Sequence, residues 1–271
     1  MADDEKYYFK DLSFDQVRKY TKENIKDIIA CGFNPQKTFI FSNHDYSREL
    51  CVQDILTVMK KKVKAKLLRQ IFGMTEDSCI GQLEWCLHQT AASYSPYYKG
   101  IFGDKHVRCL VAYAIDQDPY FRLGRDLAGD LGFMKPSSVM MTFLPALKGN
   151  EKMNASGNNP TIFMTDTKKE IQKKINRYAF SGGQETKELQ EKLGGNCDVD
   201  ISYQYLRYFL EDDDELEKIR LDYTEGRLLT GHLKKRTIDV VWEVVKKHQD
   251  ARSVVNNNII DGFMNNDNID F

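Results

Sequence analysis

The run Cys109 to Ile115 (CLVAYAI), followed at once by Asp116-Gln117-Asp118-Pro119, constrains this chain more than any other stretch. An uninterrupted apolar run bounded by turn signals reads as a strand covered on both faces, the pattern of a parallel sheet. Asp116 and Asp118 are helix-capping residue types, and Pro119 suits a first helical turn. Strand, tight turn and helix N-terminus together form the unit that places ligands at the carboxyl edge of an open α/β sheet. A layered α/β domain is therefore expected.

Other segments fit that frame. Ser137 to Leu144 (SSVMMTFL) and Thr38 to Ser42 (TFIFS) read as further strands. Ser13 with Gln16, and Thr167 with Glu170, have the spacing of capping boxes. The first opens a helix with Val17, Tyr20, Ile25, Ile28 and Ile29 on one face, stopped at Gly32. A helix is expected through Glu49 to Met59, leading into the basic segment Lys60 to Lys66. Beyond Thr165 the character is helical: 168–178, 201–210, 211–223 and 230–248, broken at Ser181-Gly182-Gly183, Gly194-Gly195 and Gly226. In the longest of these, Leu233, Ile238, Val241 and Val245 recur at helical spacing. A boundary near Asp166 gives two domains, 1–165 and 166–271, and the Asn/Asp-rich tail after Asn265 is expected to fray.

Composition narrows the function classes. With 41% hydrophobic and 29% charged residues the chain is of ordinary globular type. No apolar run approaches the ~20 residues of a membrane span, and the acidic start Met1-Ala2-Asp3-Asp4-Glu5 lacks a signal-peptide core, so a cytoplasmic location without membrane association is expected. A net charge of −1 argues against bulk attraction to nucleic acid, DNA included, but allows a local basic surface. The six cysteines include no C-x-x-C pair, so neither a metal site nor a disulfide framework is expected. Trp85, Tyr94, Tyr97 and Tyr98 are expected to pack within the stretch Gln82 to Tyr98.

The loop Glu151-Lys152-Met153-Asn154-Ala155-Ser156-Gly157 is where phosphate chemistry would sit. A lysine among small residues supplies a mobile point charge beside accessible backbone N–H groups. An ordinary surface loop has the same composition. Its surroundings separate the two readings. Lys152-Met153-Asn154-Ala155-Ser156 resembles the K-M-S-x-S loop of class I aminoacyl-tRNA synthetases, and it follows Ala114-Ile115-Asp116-Gln117-Asp118-Pro119-Tyr120-Phe121 at the matching distance. Lys26 to Phe33, Ala179 to Gly183, Gly194 to Asp200 and Phe209 to Asp214 extend the likeness in fixed order. The chain resembles the eukaryotic type of tryptophanyl-tRNA synthetase nearly end to end.

That resemblance implies an incomplete class I, Rossmann-like parallel sheet followed by an α-helical anticodon-binding-type domain. It implies that Gln117 and Glu5 belong to a tryptophan pocket, where a buried ammonium wants acceptors. It implies that Lys152 and Ser156 act in catalysis, within an ATP-phosphate loop formed by Lys152, Met153, Asn154, Ala155 and Ser156. Asp198, Lys234, Lys235 and Arg236 become candidates for contact with tRNA(Trp).

The chain also departs from the pattern. It opens just before Asp3, without the H-x-G-H motif that grips the triphosphate, and His44, His88 and His106 lie in unrelated segments. Asn154 replaces a serine of the loop, Lys148 replaces a glutamine beside the pocket, and 82–98 lacks the family's proline- and phenylalanine-rich sequence. Deleting one donor to developing phosphate charge commonly costs ~3 kcal/mol, about a hundredfold in rate. The expectation is therefore a homologue unable to form tryptophanyl-adenylate alone, with a retained tRNA- or protein-binding role. ATP with magnesium would serve it where the site is completed. The alternatives are an active ligase, if the gene product is longer or another subunit completes it, and a regulatory partner of a full-length synthetase. A bare sheet edge needs covering, and a homodimer or such a heterodimer would do so.

Overall fold

The computed structural model describes residues 1–149, 153, 160–266 and 269. Contacts divide the chain into two compact units, Met1–Thr142 with Val255–Phe271, and Phe143–Val254. The change of character near Asp166 is visible, since every regular element from Lys168 to Ser253 is helical. By packing, the segment from Phe143 already belongs with those helices, and the last helix returns to the first unit.

The first unit holds α1 (Asp3–Phe9), α2 (Phe14–Ala30), α3 (Asn43–Tyr46), α4 (Leu50–Lys62), α5 (Ala65–Phe72), α6 (Ile80–Ala91), α7 (Lys99–Phe102), β1 (Leu110–Ala114), α8 (Asp118–Leu131) and β2 (Ser137–Met141). The capping box at Ser13 opens α2, with Ser13 and Gln16 each accepting the other's backbone N–H. Strands β1 and β2 pair in parallel, from Leu110 beside Ser137 to Ala114 beside Met141, with α8 between them in sequence. The mixed α/β class and the parallel pairing hold. Coverage of both faces does not: Leu110 is 68% exposed and Met140 56%.

The segment Thr38 to Ser42 is not a strand. Its alternation is real. Phe39 and Phe41 pack on the core that contains Tyr46, Met59, Trp85 and Tyr97, while Ile40 joins Ile25, Ile29, Ile260 and Phe263. It has no ladder partner among the described residues, however, and the Ile40 N–H donates instead to the Phe263 carbonyl, 2.8 Å away. Trp85, Tyr94 and Tyr97 are buried as expected, and Tyr98 packs against them.

The second unit contains α9 (Lys168–Tyr178), α10 (Lys187–Leu193), α11 (Ile201–Phe209), α12 (Asp213–Thr224) and α13 (Thr230–Ser253). The Thr167–Glu170 capping box opens α9. Ile171, Ile175, Ile201, Tyr205, Ile238, Val241 and Val245 form its main core. Asp200 organises the unit: fully buried, it accepts from the N–H groups of Gly182, Ser202 and Tyr203 and from the Tyr223 hydroxyl at 2.8–3.2 Å. At Gly194 a positive φ of 70° and the Thr224 carbonyl where a Cβ would stand exclude any side chain. The final helix α14 (Asn257–Met264) packs on α2 in the first unit.

Candidate functional site

The turn from β1 into α8 is fixed by its own polar side chains. A short 3-10 turn, Ile115–Gln117, precedes α8, and Pro119 lies in the first turn as the sequence suggests. Asp116 and Asp118 do not cap it. The residue at the N-cap is Gln117, with no side-chain cap bond. Asp118 has a different task. Its carboxylate accepts from the Tyr113 hydroxyl (2.8 Å), Arg122 (2.7 Å) and Arg125 (3.2 Å), while Arg125 also donates to Ser138 Oγ (3.0 Å). Both strands and the helix are tied to one aspartate. The Tyr113 hydrogen bond first, and then the two guanidinium groups, hold the Asp118 carboxyl below its usual range.

Beside this turn, Gln89 of α6 donates through Nε2 to Gln117 Oε1 at 3.2 Å. The pair leaves an amide carbonyl on Gln89 and an amide NH₂ on Gln117 without partners among the described residues. One acceptor and one donor, side by side, match an ammonium and a carboxylate on one small molecule. Glu5 stands on α1, which packs on α6. Its carboxylate lies 3.3 Å from the Lys6 ammonium, and its side chain is 31% exposed. Burial first, with Glu5 among the smaller contributions, pushes the Tyr120 hydroxyl above its ordinary range, so Tyr120 stays a neutral donor at neutral pH. Asp4, one residue before Glu5, is pushed up to about 6 by burial.

Aromatic packing positions these groups. Tyr120 stacks on Phe72 at 4.3 Å and meets Trp85 edge-on at 5.1 Å, and Trp85 in turn meets Phe9 of α1 at 5.7 Å. Gln82 holds α1 through the Tyr8 carbonyl at 3.0 Å. A Cβ at Gly81 would come within 2.4 Å of the Tyr8 ring, so this close approach needs glycine. Gln89 carries the arrangement and was missed in the sequence. Its signal was a polar residue one turn after Trp85, on the same face of α6.

The phosphate-loop residues Lys152, Asn154, Ala155 and Ser156 lie outside the described residues. Met153 is described: its N–H donates to the Leu144 carbonyl at 3.0 Å and its side chain packs on the second unit's core. The four tRNA candidates separate. Lys234 donates to the carbonyls of Asn176 (3.3 Å) and Ala179 (3.0 Å) at the end of α9, and burial lowers its pKa. Arg236 grips Glu215 through two bonds, 2.5 and 2.7 Å. Asp198 and Lys235 are exposed and their charged groups have no partner among the described residues.

Known proteins bear on this geometry. The family model for class I tRNA synthetases (W and Y) matches residues 9–246. The cytoplasmic tryptophan–tRNA ligases of rabbit and human are 49% and 48% identical over 267 residues, or 97% of this chain. The chain spans 56% and 57% of their lengths. Tryptophanyl-tRNA synthetase from Giardia lamblia superposes with a TM-score of 0.93 at 38% identity, covering 100% of this chain and 73% of that one. The Plasmodium falciparum enzyme gives 0.92 at 41%, covering 98% and 71%. Among the described residues no helix is long and apolar enough to cross a membrane. Motifs in fixed order, the strand–turn–helix at Gln117 and these matches agree: the chain belongs to the class I aminoacyl-tRNA synthetases, as a homologue in the tryptophanyl-tRNA synthetase family.

Proposed function

We propose that these 271 residues bind tryptophan and tRNA(Trp) but do not, taken alone, form tryptophanyl-adenylate. The Gln89–Gln117 pair carries the first half of this reading, because it offers an acceptor and a donor at the turn from β1 into α8. Burying an ammonium without such acceptors would cost far more than the roughly 2–7 kcal/mol of an unpaired neutral polar group.

The second half rests on where the imidazoles stand. His44 meets Phe14 edge-on at 4.5 Å and lies 3.3 Å from Arg48. His88 is buried in the α6 core, where desolvation lowers its pKa. Neither is grouped with another imidazole in a phosphate-binding cradle. Adenylation depends on positioned donors aimed at developing phosphate charge. A homodimer, or a heterodimer with a full-length synthetase, would cover the exposed β1–β2 surface in this reading.

Tryptophan-dependent ATP–pyrophosphate exchange on the purified chain tests it. The expected result is no exchange above background, with tryptophan binding measurable by calorimetry. Robust exchange abolished by Lys152→Ala would overturn it. The intact Gln89–Gln117 arrangement favours a second reading, an active ligase completed by further sequence or another subunit. Exchange that appears when a full-length synthetase is added, beyond that enzyme's own rate, would support that reading. Binding without any gain in exchange would instead mark a regulatory partner.

A further inference from the structure

His88 stands in the last turn of α6, where its carbonyl accepts from the Ala92 N–H at 3.1 Å. The residue is 8% exposed. Its Nδ1 is closed to solvent and has no hydrogen-bond partner among the described residues. A buried ring nitrogen without a partner costs stability, and an aliphatic side chain would fill the same space without that cost. Volume therefore does not account for an imidazole here. The residue also belongs to the stretch 82–98, where the chain departs from the family's sequence.

The two residues that follow tie this turn to the candidate site. Gln89 Nε2 donates to Gln117 Oε1 at 3.2 Å, and Thr90 Oγ1 donates to the Tyr120 carbonyl, also at 3.2 Å. The charges around the ring decide how the turn responds to a proton. Burial acts most strongly and lowers the pKa of His88. Glu84, one turn earlier on α6, works against that, and Lys60 of α4 works with it. Glu84 is already engaged, its carboxylate 2.5 Å from the Lys60 ammonium. Helices α1, α5 and α8 also pack on α6, and among the described residues none of their charged groups acts on the imidazole. A proton taken up at low pH thus has two outlets. It stays in the buried site unpaired, or the ring turns toward Glu84 and competes with Lys60. Each disfavours the seated turn that brings Gln89 to Gln117.

We infer that His88 is a positioning residue for the tryptophan site: neutral, it seats the last turn of α6 with Gln89 against Gln117, and protonated, it withdraws that turn and weakens the hold on the ligand. The inference rests on the tryptophan-binding reading above and adds a proton dependence to it. Tryptophan and the proton on His88 then oppose each other reciprocally.

The test is calorimetry of tryptophan binding to the whole chain from about pH 8 to about pH 5, across the ordinary histidine value, with the His88 ring proton followed by NMR. Affinity should fall below about pH 6.5, by at most about tenfold per pH unit, the limit for one linked proton. His88→Gln replaces the ring with an uncharged polar side chain and should flatten this profile. His88→Leu should flatten it too, and serves if the thermal midpoint shows that the glutamine variant does not fold. Asp4 of α1, pushed up to about 6 by burial, titrates in the same range, so Asp4→Asn should leave the dependence in place. A flat wild-type profile, a slope that survives both His88 variants, or one that vanishes in Asp4→Asn overturns the role of His88 and leaves tryptophan binding standing. A ring proton that titrates at about 6.5 overturns it as well, because the imidazole would then be solvated. A wild-type chain that binds no tryptophan at any of these pH values overturns the broader reading, and this one with it.

Discussion

Each unit has a buried aspartate with four or three donors converging on it, Asp200 in one and Asp118 in the other, and the two are satisfied differently. Asp118 in the first unit is 7% exposed and answers a tyrosine hydroxyl and two arginines. Asp200 in the second is fully buried and answers a tyrosine hydroxyl and three backbone N–H groups. The first arrangement is made of charges, one of them the largely exposed Arg122. The second is a helix cap extended by neutral donors, independent of salt and of any partner's protonation. The turn from β1 into α8 is thus held by a tunable ionic knot, while the N-terminus of α11 is locked by backbone geometry.

The largest expected effect follows from Asp200. Asp200→Ala orphans four donors in a site closed to water, each worth about 1–3 kcal/mol when left unmade. The expected loss is about 4 kcal/mol, read as a fall in the urea midpoint of the helical signal. A loss under about 1 kcal/mol would break the comparison, because it would mean water replaces the carboxylate freely.

Asp118→Asn should cost less, about 1–2 kcal/mol, since an amide keeps one acceptor and Arg122 is already solvated. Its pH dependence sharpens the contrast. A carboxyl held below its ordinary value contributes stability that is present above the unfolded pKa, about 4, and is lost as pH falls through the folded one. The stability difference between wild type and Asp118→Asn should therefore be flat at neutral pH and shrink below about pH 4. A difference that persists unchanged to pH 2 would remove the ionic account.

Much of this was legible in sequence because local rules were sufficient. Both capping boxes, the parallel strands and the position of Gln117 follow from patterns that short segments carry within themselves. The failures share one cause, a partner that the local pattern does not name. Thr38 to Ser42 alternates like a strand, but a ladder needs a neighbour, and what it meets is the Phe263 carbonyl. Asp118 reads as a cap until Tyr113 and Arg125 are brought beside it. Gln89 becomes a site residue when α6 and α8 pack together and bring it to Gln117. Lys234 and Arg236 look like free cations, yet α9 carbonyls and Glu215 occupy them.

Gln89 allows a test of the site without a test of stability. Gln89→Ala removes a half-buried amide, so the thermal midpoint should hold while calorimetry shows tryptophan binding weakened about tenfold, one hydrogen bond's worth to a charged group. Unchanged affinity would separate the Gln89–Gln117 pair from the ligand and return it to packing.

The smallest effect distinguishes two neighbours on α13. Arg236 is engaged by Glu215 through two short bonds, with both side chains about one-third exposed, so Arg236→Ala should cost about 0.5 kcal/mol at low salt and less at high salt. An arginine already committed to a carboxylate has little charge to offer a phosphate. Its loss should leave RNA affinity and salt slope where they were. Lys235, exposed and unpaired among the described residues, should behave oppositely: no stability change, weaker binding and a slope lower by about one. If Arg236→Ala lowers the slope instead, the Glu215 pair opens to admit RNA. The helical unit would then share the ionic, tunable character that separates the first unit from it.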